Sequence, residues 1–179
     1  MGLFGSAKID GKELEECLTY FEAQTRVVTF QTKEADLYNN AMVKYGNSIR
    51  ENPSAAREAC KAANRLAQAA TEVLRRHQEI KSVPAAASAM HHAWYVAFDA
   101  NRTWAFATSK AIEAMAEGMD AHTMYVQQLV GQYQKAWREA DDEDRKFLKR
   151  LRVSGEEIAK IVARATSVNA TDDDWEPQP

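Results

Sequence analysis

Forty consecutive residues, Lys12 to Glu51, contain no proline and a single glycine, Gly46. That leaves no place for strands joined by tight turns. Leu14, Leu18, Phe21, Val28, Ala35, Met42 and Ile49 recur on three-, four- and seven-residue steps, a heptad-like stripe. The second heptad position reads Leu18, Thr25, Thr32, Asn39 and Gly46, so half of the seam is polar or small. The pattern predicts one helix of about 60 Å at ~1.5 Å per residue. A polar seam lowers stability but fixes register, and it predicts a meeting with a second partner or with water.

The rest of the chain is punctuated sparingly, with 7 glycines and 4 prolines in 179 residues. Asn52-Pro53 reads as an N-cap followed by a first-turn proline. From Ser54 to about Ser82 the stripe is mostly alanine: Ala56, Ala59, Ala63, Leu66, Ala70, Val73 and Ile80. Small side chains let helices approach closely, so this helix is expected to pair antiparallel with the first. His77 lies on the same stripe and reads as a packed, hydrogen-bonded residue. Pro84 either opens a third helix or kinks a continuous one. Ala85 to Glu117 carries Met90, Trp94, Ala97, Asn101, Trp104, Thr108, Ala111 and Met115 on one face, widened by Tyr95, Phe98 and Phe106. Gly118 is either a helix-ending glycine, with Asp120 as the next cap, or a residue inside a longer helix. Met124, Leu129, Tyr133 and Trp137 carry helical spacing to Ala140. The acids Asp141 to Asp144, followed by bases to Arg152, suit a short helix of their own. Ser154 and Glu157 form a capping box opening a last helix to about Thr166. The expected fold is all-α. It is an antiparallel helical bundle of four long helices, or a long helical hairpin, plus a short C-terminal helix. Residues 1–11 read as a flexible apolar segment, 12–167 as the helical domain, and 168–179 as a disordered acidic tail.

The chemistry is bounded by what is missing. A net charge of −3 argues against a strongly basic nucleic-acid binder. Met1 to Lys8 lacks a secretory signal, so Cys17 and Cys60 are expected to be reduced and the protein cytoplasmic. The Glu-x-x-His pairs of di-iron bundles do not occur. His91 and His92 point about 100° apart on a helix, and a metal site would need His122 or Asp120 as well. There is no phosphate-binding glycine loop, nucleophile elbow or zinc spacing. The expectation is a non-enzymatic protein with no cofactor, metal, nucleic acid or small-molecule substrate, acting on a protein partner or on itself. Two segments are candidates for contact. Leu3 and Phe4 are apolar residues near the start of the chain, where Met1-Gly2 and Ser6 also satisfy the acylation pattern. Arg145, Lys146, Lys149, Arg150 and Arg152 interleave with Phe147, Leu148 and Leu151 as a basic amphipathic segment suited to an anionic membrane or acidic partner.

The opening Met1-Gly2-Leu3-Phe4-Gly5 resembles the start of proteins in the ESCRT-III and phage-shock-protein A superfamily. Ala56-Arg57 onward and Ser109 to Asp120 are similar in flavour to that family's second-helix region and methionine-bearing segment. The resemblance implies a peripheral membrane protein that self-assembles through its long helices, with Leu3 and Phe4 as insertion residues. The chain departs from the family in its first helix, mixed to acidic where the family's is usually basic, in Pro84, and in the aromatic stretch from Trp94 to Phe106.

Overall fold

The structure, a computed structural model, describes residue 9, residues 11–119 and residues 123–168. Among these, every regular element is helical: α1 (Gly11–Tyr45), α2 (Pro53–Gln78), α3 (Ser88–Ala116), α4 (Thr123–Leu151) and α5 (Gly155–Val168). Single 3-10 turns, Gly46–Ser48 and Ala85–Ala87, follow α1 and precede α3. α2 packs against both α1 and α3, α3 against α4, and α5 against α1. The N-terminal segment before Ile9 and the tail after Val168 lie outside the described residues.

α1 stops at Tyr45, short of the expected Glu51. The 3-10 turn follows, and Ser48 O accepts from both Glu51 N (3.2 Å) and Asn52 N (2.9 Å). Ile49, at 3% exposure, pins the connection to the core. The buried stripe of α1 is Cys17, Tyr20, Gln24, Val27, Gln31 and Glu34, joined by Phe21 and Phe30. That is a heptad repeat rotated by about one residue from the expected seam. Leu14, Leu18 and Val28 pack only at the edge of the core, and Thr32 and Asn39 are exposed. Apolar spacing misled here because three interior positions are polar. Gln24 and Glu34 are buried against polar partners on α2 rather than against apolar ones.

α2 follows its pattern closely. Asn52 Oδ1 accepts from Ser54 N (2.9 Å) and Ala55 N (3.3 Å), and Pro53 takes the first turn. Every expected stripe residue from Ala56 to His77 is buried. Gln24 meets His77 and Glu34 meets Arg65, so α1 and α2 run antiparallel. The Glu34 carboxylate takes both Arg65 Nε (2.6 Å) and Nη2 (2.8 Å), the fork that compensates a buried charge.

Both ambiguous joints are turns. Pro84 is extended (φ −59°, ψ 147°), and its carbonyl accepts from Ala87 N at 2.9 Å. Gly118 takes φ +75°, Gly118 N donates to Met115 O (3.1 Å) and Met119 N to Ala114 O (2.9 Å). This is the Schellman closure, and it ends α3. The expected break after Ala140 does not occur: α4 runs unbroken to Leu151. No glycine or proline lies between Gly131 and Gly155 to interrupt it. The acid and base runs instead form pairs within one helix, Asp142 with Arg145 and Glu143 with Lys146. Ala136, Ala140, Phe147 and Leu151 form its continuous buried stripe. Ser154 Oγ caps α5 by accepting from Glu157 N at 3.2 Å.

Two substitutions test these joints. Asn52→Ala removes both cap acceptors and is expected to cost about 1 kcal/mol. Gly118→Ala forces a side chain into left-handed backbone and is expected to cost ~1–2 kcal/mol. Urea unfolding of each variant beside the wild type measures both, and unchanged midpoints would contradict the assigned turns.

Candidate functional site

The end of α4 brings the basic residues together on the surface. Lys149, Arg150 and Arg152 are exposed and make no ion pair among the described residues. Arg145 and Lys146 are engaged with Asp142 (3.4 Å) and Glu143 (2.6 Å). The interleaved apolar residues face inward: Phe147 is 0% exposed, and its ring meets Tyr20 and Phe21 of α1. The segment therefore presents cations alone, while its apolar side belongs to the core. Arg150 lies near enough to Cys17 to oppose the rise that burial, Glu13 and Glu16 impose on that thiol. Ile9 packs on the same core cluster as Leu148, Leu151 and Val153. The basic turn thus lies near the start of α1, and Leu3 and Phe4 fall outside the described residues.

The opposite end is apolar. Where α3 gives way to α4, Phe106, Ala111, Ala114, Met119, Tyr125 and Val126 line a groove of about 590 Å³. Phe106, Met119 and Tyr125 are each about half exposed, and Met124 beside them is more so. Lys110, held by Glu113 at 2.7 Å, stands on the rim. Single exposed apolar residues are ordinary, but several sharing one concavity mark a contact surface. Phe106 was expected to widen the core stripe. Its lining neighbours Thr103 and Lys110 are the signal that it belongs to the outer face.

Beneath the basic end lies a buried polar centre. His77, 0% exposed, stacks on His91 with ring centroids 4.1 Å apart. His77 Nε2 lies 3.1 Å from the His91 carbonyl and Nδ1 lies 2.8 Å from the Gln24 carboxamide. Burial, with His91 adding to it, pushes the His77 pKa down to about 4. The neutral ring can donate through only one nitrogen. Nε2–H serves the carbonyl, so Nδ1 must accept, and Gln24 must turn its NH₂ toward the ring; oxygen and nitrogen of such an amide are assigned by this logic. Tyr20 completes the centre with its hydroxyl hydrogen-bonded to His91 Nδ1 at 3.1 Å. Burial and Asp144 raise the Tyr20 hydroxyl far above its usual range, so it stays protonated. Asp144 accepts from Trp94 Nε1 at 2.8 Å, and burial pushes its pKa up to about 6. These groups bond to one another, with one atom of the Gln24 carboxamide left over, and present no activated nucleophile. His92 is exposed, His122 and Asp120 lie outside the described residues, and no group of three potential metal ligands occurs among the described residues. Nor is any helix there long and apolar enough to cross a membrane.

No family model, curated protein or solved structure matches the chain.

The centre makes a pH prediction. His77 binds its proton later in the folded state than in the unfolded state, so it removes stability as pH falls from about 6.5 toward 4. Asp144 binds its proton earlier when folded, so it adds stability as pH falls through about 6 toward 3.8. The two effects oppose each other. Asp144→Asn, which keeps an acceptor for Trp94, is expected to raise Tm at pH 7.5 and lose that advantage by pH 5. His77→Gln should change Tm relative to wild type in the opposite sense on acidification. Thermal melts of the two variants between pH 4.5 and 7.5 check both slopes.

Proposed function

We propose that this protein is a non-enzymatic interaction or assembly module. In this reading α1 to α4 form an antiparallel bundle and α5 lies on α1. The observation that carries the reading is the half-exposed apolar groove at the α3–α4 junction, centred on Phe106, Met119 and Tyr125. Apolar side chains of this size gain by leaving water, at about 25 cal/mol per Å² buried. A helical partner, or a second copy of the chain, would supply the covering surface. The mutual hydrogen bonding of His77, His91 and Tyr20, and of Asp144 with Trp94, supports a structural rather than catalytic role for them.

One observation favours a second reading, a peripheral membrane protein that assembles in an ESCRT-III-like manner. Lys149, Arg150 and Arg152, exposed and with no ion pair among the described residues, stand near the start of α1, with Arg150 close to Cys17. Cations near an anionic bilayer contribute roughly 1 kcal/mol each.

Sedimentation velocity across a hundredfold concentration range tests the first reading. Self-association that weakens about tenfold in Phe106→Glu/Tyr125→Glu is expected, since burying two carboxylates in an apolar contact is unfavourable. A concentration-independent monomer would leave only a foreign partner for this groove. Co-sedimentation with phosphatidylserine vesicles tests the second: binding should be lost in Lys149→Glu/Arg150→Glu/Arg152→Glu and weakened by salt.

A further inference from the structure

The core holds polar atoms that the protein itself does not satisfy. One atom of the Gln24 carboxamide, both of Gln31, both of Asn101, the Trp104 indole nitrogen and the Thr108 hydroxyl are buried without a hydrogen-bond partner among the described residues. Gln31 is 1% exposed and Asn101 0%. All five residues lie on α1 or α3.

Register brings the two carboxamides to one level. α1 and α3 run in the same direction, because Tyr20 lies beside His91 and Tyr38 beside Trp104. Interpolating between those contacts places Gln31 level with the α3 turn that carries Phe98 and Asn101. Buried alanines of the flanking helices lie at this level, beside Trp137, whose ring meets Phe98. On α2, the contacts of Gln24 with His77 and Glu34 with Arg65 place Ala69 and Ala70 there. On α4, the contacts of Trp94 with Asp144 and Trp104 with Tyr133 place Ala136 there. All three alanines are buried.

We propose that this layer is a binding site for water: a short internal column between α1 and α3, held by Gln31 and Asn101 and extended toward Trp104 and Thr108. A buried amide that finds no partner costs more than a formed hydrogen bond returns, so a native core does not keep four such atoms unmet. Water satisfies polar groups of both kinds at once, typically with about three hydrogen bonds. The partners are neutral, and Glu34, three residues along α1 from Gln31, is occupied by Arg65. The site therefore suits water rather than an ion. This inference is independent of what docks on the surface.

Water-¹⁷O magnetic relaxation dispersion on the full chain tests it. Wild-type protein should show a dispersion step from long-lived internal water. Gln31→Met/Asn101→Leu should lower that step ~2-fold or more by replacing the site with apolar volume. Absence of the step in the wild type, or a step unchanged in a folded variant, would overturn the proposal. If the double variant does not fold, the wild type still decides. Rotating-frame cross-peaks from water to the side-chain NH₂ protons of Gln31 and Asn101 are expected. Direct amide-to-carbonyl bonding between the two residues, with no water cross-peak, would refute the site.

Discussion

The small size of the α2 face governs the arrangement around it. Ala55, Ala56, Ala59, Ala63, Ala67, Ala69 and Ala70 are all buried, and α2 packs against both α1 and α3. Alanine is the best helix former and carries no side chain to hold a neighbour away. Close approach on this side forces the large side chains elsewhere. Trp94, Phe98, Tyr20 and Phe147 gather instead between α3, α4 and α1, where the ring contacts cluster. A core that is thin on one side and aromatic on the other follows from one helix's composition. Enlarging a central alanine such as Ala63 or Ala70, each 0% exposed, would separate helices rather than fill space.

How much of this could be read in advance depended on which kind of residue marked each element. α2 was legible because its apolar stripe and its burial coincide, from Ala56 through His77. The caps at Asn52 and Ser154 were legible because a side-chain oxygen near free amides has one obvious use. α1 was legible as a helix but not in its facing. Gln24, Gln31 and Glu34 look like surface residues in one dimension and become interior only when α2 supplies partners. The repeat of Cys17, Gln24 and Gln31 at seven-residue spacing was the available hint. The break assigned after Ala140 failed for a related reason. Charge order suits a helix end, yet Phe147 packing on Tyr20 and Phe21 holds the helix straight through it.

The candidate surfaces show the same division. The cations from Arg145 to Arg152 were visible as a run, and the structure separates them by their pairing. An i,i+3 acid neutralises Arg145 and Lys146, while the last turn has no acid before it to do so. The apolar groove was hidden because Phe106 lies in a stretch so rich in aromatics that its outward face looks like a wider core. Only the reversal at Gly118 brings Met119 and Tyr125 back beside Phe106.

The two surfaces are separated along the length of α3. That helix has 29 residues and so spans about 44 Å at ~1.5 Å per residue. Its start lies near the basic end of α4, through the contact of Trp94 with Asp144, and its finish lines the apolar groove. A ligand held at one end cannot touch the other directly. Any coupling would have to pass through the packed layers between them, and those include the level of Gln31 and Asn101. Polar layers have fewer low-energy packings than alanine and leucine do, because each hydrogen bond must be remade if a helix slides. The central polar residues therefore fix the register of α1 against α2 and α3, and with it the placement of both ends. That is the cost-for-specificity exchange expected of a polar seam, but located one residue around the helix from where its apolar spacing pointed.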